Sequence, residues 1–322
     1  MSPLQRIFSS KEFTPILAFI RLGRPHFLAG GFLLHGLGVA IALYTGVPLK
    51  LSALLWGQVA VTATQLMTHY GNEFFDLPAD QANPTPTRWA GGSRVLPEGR
   101  LPPQAALATA VVFGLLALAA VAVLAWVIQP GMLTAALLIL ALVLAWEYSA
   151  PPLRLHSRGL GELTVALVVA GLTPLVGFYL QSGRLGLLPL LAVVPLGCLQ
   201  FAQMLSIEFP DRAGDDAVGK RTLVVRLGGA RTARLFGFAL LAAYAALPAL
   251  VFIGLPPAVA AAAGLTAPLA FWLGRRVLRG DWAEPARWDS LAFWSITLLI
   301  GTAVAELLAF VWLLFRSPLT PQ

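Results

Sequence analysis

Runs of about twenty apolar residues recur along the chain at roughly 26–45, 51–71, 104–127, 132–148, 160–180, 186–208, 232–253, 256–275 and 289–314, separated by charge, proline or glycine. A segment of that length satisfies its backbone in hydrocarbon only as a helix, so the possible folds reduce to a bundle of membrane-spanning helices. Composition agrees, with 58% hydrophobic residues, 11% charged residues and a mean hydropathy of +0.78. The runs are continuous rather than alternating in ten-residue segments, which argues against a transmembrane β-barrel. The expected fold is all-α, a polytopic bundle of about nine helices around a central cavity open to the cytoplasmic side. It forms a single domain over residues 1–322, with two four-helix halves at about 26–148 and 160–278 and a ninth helix at about 289–314. The Gly254-Leu255-Pro256-Pro257 break separates the seventh and eighth runs; without it the count is eight.

With nine crossings, nineteen of the 22 lysines and arginines fall on one side, leaving Lys50, Arg184 and Arg316 on the other. By the positive-inside rule the charged side is cytoplasmic, which places the N-terminus there and the chain in the cell's inner (plasma) membrane. Residues 1–24 carry Arg6, Lys11, Arg21 and Arg24 without an apolar run, so no cleavable signal peptide is expected. The excess charge on this face serves topology and anionic lipid and requires no nucleic acid; no protein partner is inferred. Cys198 is the only cysteine, which rules out an internal disulfide and a multi-cysteine metal site.

Two acidic clusters interrupt this hydrocarbon, Asn72-Glu73-Phe74-Phe75-Asp76-Leu77-Pro78-Ala79-Asp80 and Asp211-Arg212-Ala213-Gly214-Asp215-Asp216. Charges beside a membrane core are expensive and mark function. The clusters end the second and sixth runs, and four crossings between them return both to one side. On a helix Asn72, Asp76 and Asp80 form one stripe, a set of oxygen ligands suited to Mg²⁺, which binds carboxylates together with water and phosphate oxygens. Pro78 interrupts that helix, so a kink or loop is expected to aim Asp80. Asp211 and Asp215 repeat the spacing after Pro210, and Lys220 and Arg221 follow closely. Interleaved carboxylates and cations suit a metal-bound diphosphate. The plainer reading is a solvated helix end and a loop of mutual ion pairs.

These residues resemble the intramembrane UbiA-type prenyltransferases. The first cluster is similar to that family's Asn-Asp-x-x-Asp-x-x-x-Asp motif with Glu73 in the second place, and Asp211 with Asp215 matches its second aspartate motif. Gly91-Gly92-Ser93-Arg94-Val95-Leu96-Pro97-Glu98-Gly99, Arg158-Gly159-Leu160-Gly161-Glu162-Leu163 and Gly219-Lys220-Arg221-Thr222-Leu223 resemble the branch that prenylates dihydroxynaphthoate in menaquinone synthesis. Tyr148-Ser149-Ala150-Pro151-Pro152-Leu153-Arg154 is similar to a Tyr-x-x-x-x-Lys/Arg segment found more widely in the family. The chain departs at Glu73 and at Ile207-Glu208-Phe209-Pro210-Asp211, where the naphthoate branch has Asn-Asn-x-Arg-Asp.

The resemblance implies transfer of a polyprenyl group from an isoprenyl diphosphate to an aromatic acceptor, dihydroxynaphthoate or a related quinone precursor. It implies Mg²⁺ held by Asn72, Asp76, Asp80, Asp211 and Asp215. Lys220 and Arg154 would grip the phosphates, with Arg221 and Tyr148 alongside. Residues 81–103 would form a lid, with Arg88 and Arg94 as candidates for holding a diphosphate or an acceptor carboxylate. Phe74, Phe75 and Tyr148 are candidates for stabilising a passing cation, against packing as the plainer role. Gln65, Thr68 and His69 before the first cluster, and Gln200, Gln203 and Ser206 before the second, would line one cavity, against helix-to-helix hydrogen bonding. Trp56, Trp126 and Trp312 fit an interfacial belt. His35 and Glu306 are lone intramembrane polar groups outside the site. Acceptors of haem, chlorophyllide, hydroxybenzoate or glycerol-phosphate type stay open. A secondary transporter would carry its charges nearer the midplane, and a lipid-alcohol phosphotransferase would show an Asp-Gly-x-x-Ala-Arg pattern that is absent.

Overall fold

The computed structural model of the chain describes residues 13–316, so Arg6, Lys11 and the expectation of no signal peptide lie outside the described residues. Among the described residues the regular structure is entirely helical. Helices α1 (Phe13–Leu22), α2 (Pro25–Tyr44) and α3 (Leu51–Phe75) lead into the short α4 (Leu77–Ala82). After a long loop come α5 (Pro103–Val123), α6 (Met132–Glu147), α7 (Gly161–Ser182) and α8 (Leu187–Glu208). The second short helix, α9 (Arg212–Ala217), precedes α10 (Leu223–Leu227), α11 (Gly229–Ile253), α12 (Pro257–Gly264), α13 (Ala267–Leu278) and α14 (Pro285–Arg316).

Every apolar run becomes helix, yet the expected count of nine spans does not hold. Among the described residues six helices are long and apolar enough to cross a membrane, and seven if α12 and α13, bent by 42°, act as one span. α6 has only 16 residues, too short for a hydrocarbon core of about 30 Å. α3 has the length, but Gln58, Thr62, Thr64, Gln65 and Thr68 dilute its hydropathy. Of these, Thr64, Gln65 and Thr68 line a cavity described below.

The core follows from the same apolar faces. α3 packs on α5, α2 on α7, and α8 on α11 and α14. Glycine permits the closest crossing: a Cβ at Gly38 of α2 would stand 1.9 Å from the carbonyl oxygen of Pro174 in α7. Within α7 the turn at Ala166–Leu172 widens to a π-helix, a feature frequent where a helix is shaped for function.

Candidate functional site: two aspartate pairs above an apolar cavity

Both aspartate pairs are built in the same way. A long helix ends, a proline follows, and a short helix begins: α3 gives way at Asp76 to α4 with Pro78 in its first turn, and α8 gives way before Asp211 to α9. Proline is tolerated in that first turn because the N–H it lacks has no intrahelical partner. Asp76 and Asp211 each hold the N-cap position, where an aspartate side chain ordinarily accepts a backbone N–H, yet neither makes such a bond. Their carboxylates are directed elsewhere.

The two short helices pack directly against each other. A Cβ at Gly214 of α9 would lie 2.8 Å from the carbonyl oxygen of Ala79 and from the Cα of Asn83, so only glycine admits this approach. Asn83 Nδ2 donates to Asp211 Oδ1 at 2.7 Å, tying the first cluster to the second. Lys220 completes the junction, its Nζ 3.0 Å from Asp76 Oδ2 and 3.3 Å from Asp215 Oδ1. Burial opposes its charge, but Asp76 and Asp215 hold the ammonium well above its ordinary value.

Asp76 is fully engaged. His156 Nε2 stands 2.5 Å from its Oδ1, Asn72 Nδ2 donates to its Oδ2 at 2.7 Å, and Lys220 takes the same oxygen. Burial pushes this carboxyl up, but Lys220 and His156 pull further and hold it below the usual carboxylate range. Asp80 and Asp211 differ: among the described residues neither has an ion-pair partner. Burial and the Asp76 charge push Asp80 up to about 8. Burial and the Asp215 charge push Asp211 up to about 7. Asp215 is also raised, by burial ahead of the opposing Lys220.

Without metal, the folded protein therefore holds protons on Asp80 and Asp211 that an unfolded aspartate has released by about pH 4. Folded-state proton uptake exceeds that of the unfolded chain between about pH 4 and pH 8, so stability falls as pH rises through that window. Thermal unfolding of EDTA-treated protein is expected to show a midpoint that declines across this window, and added divalent cation is expected to restore it at the alkaline end.

Several expected site residues lie elsewhere. Arg154 adopts φ 46° in the loop after α6, is exposed, and pairs with no site carboxylate. Arg221 faces solvent in a pair with Asp216 at 3.3 Å. Arg94 braces the loop by donating from Nη1 to the backbone oxygen of Asp80 at 2.5 Å, and Arg88 is exposed with its guanidinium over the neighbouring Trp89 ring. Phe74 and Phe75 pack edge to face, Phe75 also against Trp146, as packing aromatics. Gln200, Gln203 and Ser206 bond within α8 and are not among the residues lining the cavity described next.

The cavity lies on the α3 side instead. Gln65, Thr68 and His69 line it with Tyr148, Thr164 and Thr173, beside many aliphatic side chains from α5, α6 and the wide turn of α7. Counted out to its open mouth it encloses about 870 Å³. His69 and Thr68 stand one helical turn from Asn72, and the Tyr148 ring lies 5.3 Å from the His156 ring that holds Asp76, so the cavity begins beneath the carboxylates. Trp56, Trp126 and Trp312 are partly or largely exposed on the outer face of the bundle, and Cys198 is free.

The loop 81–103 folds over the first cluster through Glu73. Ser93 donates to Glu73 from its backbone N at 2.8 Å and from Oγ at 2.6 Å, and Arg24 pairs with the same carboxylate from the start of α2. Glu73 is thus a tie between helix and loop, beside the ligand stripe. At Gly92, φ is +71° and a Cβ would stand 2.1 Å from Asp80 Oδ2. Gly92→Ala is expected to displace Asp80 and lower kcat about 10–100-fold, the range for groups that orient a ligand, and to lower the thermal midpoint as well, because an alanine is strained at this φ. An unaltered kcat would show that Asp80 does not depend on the loop.

His156, Asn83 and Arg24 were not among the residues singled out from sequence. Asn83 lies three residues past Asp80, and His156 lies in the same loop segment as Arg154; position in sequence was the only available signal.

Among the described residues no three His, Cys, Asp or Glu side chains converge closely enough to hold a metal ion alone. Asp80 and Asp211, held protonated by their surroundings and without an ion-pair partner among the described residues, nevertheless fit a divalent ion, which would displace those protons and take its remaining ligands from water and phosphate.

Residues 33–297 match the model of the UbiA prenyltransferase family. A 1,4-dihydroxy-2-naphthoate octaprenyltransferase of Bacillus subtilis (strain 168) is 26% identical over 247 residues, 73% of each chain. The fold is shared with a UbiA homologue from Aeropyrum pernix K1 in its apo form, with a TM-score of 0.66 at 21% identity over 87% of this chain and 97% of the other. It is shared too with a UbiA homologue from Archaeoglobus fulgidus bound to DMAPP and Mg²⁺, with a TM-score of 0.62 at 14% identity over 89% and 98%. A helical membrane bundle, paired aspartates at adjoining helix ends and a family match over most of its length establish that this chain belongs to the UbiA prenyltransferase family and is a multi-pass membrane prenyltransferase.

Proposed function

We propose that the chain transfers a polyprenyl group from an isoprenyl diphosphate to an aromatic acceptor, dihydroxynaphthoate or a related quinone precursor, with Mg²⁺ as cofactor. The observation that carries this reading is the meeting of the two aspartate pairs through α4 and α9, with Asp80 and Asp211 unpaired above an apolar cavity. The donor class is supported by the Archaeoglobus neighbour, bound to DMAPP and Mg²⁺. The acceptor is supported by the Bacillus relative.

Asp80 and Asp211, with Asp215 and the Asn72 and Asp76 stripe, would hold the ion. Bound Mg²⁺ neutralises phosphate charge and makes diphosphate a better leaving group. Lys220, already poised between Asp76 and Asp215, sets a fixed cation beside the departing diphosphate. Asn72 and His156 keep Asp76 oriented toward that lysine. The aliphatic cavity wall takes the prenyl tail and keeps water from the allylic carbon. The C–O bond to diphosphate breaks, a C–C bond to the electron-rich ring forms, and the ring loses a proton. The charge asymmetry of the loops supports a cytoplasmic position for this end of the bundle. The like construction of the two aspartate pairs supports two related halves and a final helix.

The test is purified protein in detergent with Mg²⁺ and a long-chain prenyl diphosphate, offered a panel of acceptors and read by mass spectrometry. Prenylated dihydroxynaphthoate with release of pyrophosphate is expected. Prenylation of a different acceptor alone would reassign the acceptor and leave the donor chemistry standing.

A further inference from the structure

A second groove lies well away from the aspartates, between α11 and α13. On α11, Arg234, Gly237, Phe238, Leu241 and Tyr244 follow helical spacing on one face; on α13, Phe271, Gly274, Arg275 and Leu278 do the same. The helices run antiparallel, Gly237 facing Leu278 and Gly274 facing Leu240, so Arg275 stands about five residues, roughly 8 Å, deeper along the groove than Arg234, close enough for two extended arginine side chains to reach one phosphate. The Arg234 end is the end of the acidic clusters, because the Trp282 ring, just after α13, lies 6.2 Å from the Phe209 ring at a tilt and against Gly229.

Glycines here have an unusual job. At Gly38 the backbone of another helix leaves no room for a Cβ, whereas a Cβ at Gly237 or Gly274 would meet only side-chain carbons at 3.7 Å. Helix crossing therefore does not require these two glycines; they deepen a trough. The trough encloses about 990 Å³ counted out to its open side, and its rims are Phe238, Leu241, Phe271 and Leu278, each more than half exposed.

Charge and length select the occupant. Asp281 and Glu284, the acids of this end, are occupied by Arg276 and Arg287, leaving Arg234 and Arg275 without an ion-pair partner among the described residues. From Arg234 to Tyr244 the groove runs ten residues, about 15 Å of helix, which is half of a hydrocarbon core of about 30 Å. A molecule with an anionic head and tails one leaflet long matches both features.

We propose that this groove binds one anionic phospholipid of the leaflet on the side of the acidic clusters, its phosphate between Arg234 and Arg275 and an acyl chain along Gly237 and Gly274. The site is separate from the prenyl donor site and shares no residue with it.

The experiment is native mass spectrometry of the whole protein released from nanodiscs containing equal phosphatidylglycerol and phosphatidylcholine. Wild type is expected to retain one phosphatidylglycerol in preference to phosphatidylcholine. The Arg234→Gln/Arg275→Gln double variant is expected to bind it roughly 30-fold more weakly, the loss appropriate to two surface arginines. Gly274→Leu, which fills the trough and keeps both arginines, is expected to remove it as well, and circular dichroism checks that each variant folds. Equal retention by wild type and the double variant, equal retention of the two lipids, or displacement by farnesyl diphosphate added in place of lipid would each overturn the proposal.

Discussion

Asp211→Asn, and separately Asp80→Asn, is expected to lower prenyl transfer by about 10²–10³-fold or more while leaving metal-free protein at least as stable as wild type. The two effects point in opposite directions for one reason. These carboxylates are largely shielded from water, face other carboxylates and have no ion-pair partner among the described residues, so ionising them without metal is costly, and under the proposed function that cost is recovered when a metal is held. Asparagine keeps the shape, and at position 211 it can still accept from Asn83. Asp76→Asn is expected to inactivate too, but with a loss of stability, because Lys220 and His156 then lose their shared partner. Measuring kcat and the thermal midpoint in EDTA for all three variants separates the roles. Full activity in Asp80→Asn would remove Asp80 from the site.

Glu73→Ala is expected to destabilise the protein by about 3–5 kcal/mol, the effect of stranding a buried ion partner. The Glu73 side chain is fully buried, and it holds Arg24 together with both the backbone and the hydroxyl of Ser93. Its removal releases the loop 81–103 from α3 and leaves the Arg24 guanidinium largely buried without its carboxylate. An Arg24→Met/Glu73→Leu pair is expected to recover much of the loss, since apolar replacement of both partners leaves no charge stranded. Thermal unfolding of the single and double variants, with limited proteolysis of the loop, reads both effects. A Glu73→Ala midpoint equal to wild type would show that the tie carries no stability.

Glu73 also shows why some of the site was legible in sequence and some was not. The i, i+4, i+8 spacing of Asn72, Asp76 and Asp80 shows in the letters alone, because helical periodicity is local. So is the break at Pro78, and α3 does end three residues before it. Partner choice is not local. Glu73 reads only as a departure from the family's motif until Ser93 and Arg24 are seen to converge on it. His156 reaches Asp76 across 80 residues of chain. Arg154 and Arg221 sit in the expected motifs yet turn to solvent, because a loop motif specifies residue type and leaves side-chain direction to tertiary packing. The span count failed for a related reason. The polar residues that make α3 a cavity wall also lower its hydropathy, so lining a cavity and crossing lipid place opposing demands on one helix.

In the proposed function the two aspartate pairs form one metal-dependent site for an isoprenyl diphosphate. Binding of an unreactive prenyl thiodiphosphate to purified protein, followed by titration with and without Mg²⁺, tests it most directly in wild type, Asp80→Asn and Asp211→Asn. Mg²⁺-dependent binding in wild type, lost in both variants although they come from different clusters, is the predicted result. Binding that is indifferent to Mg²⁺, or that survives in either variant, would contradict it.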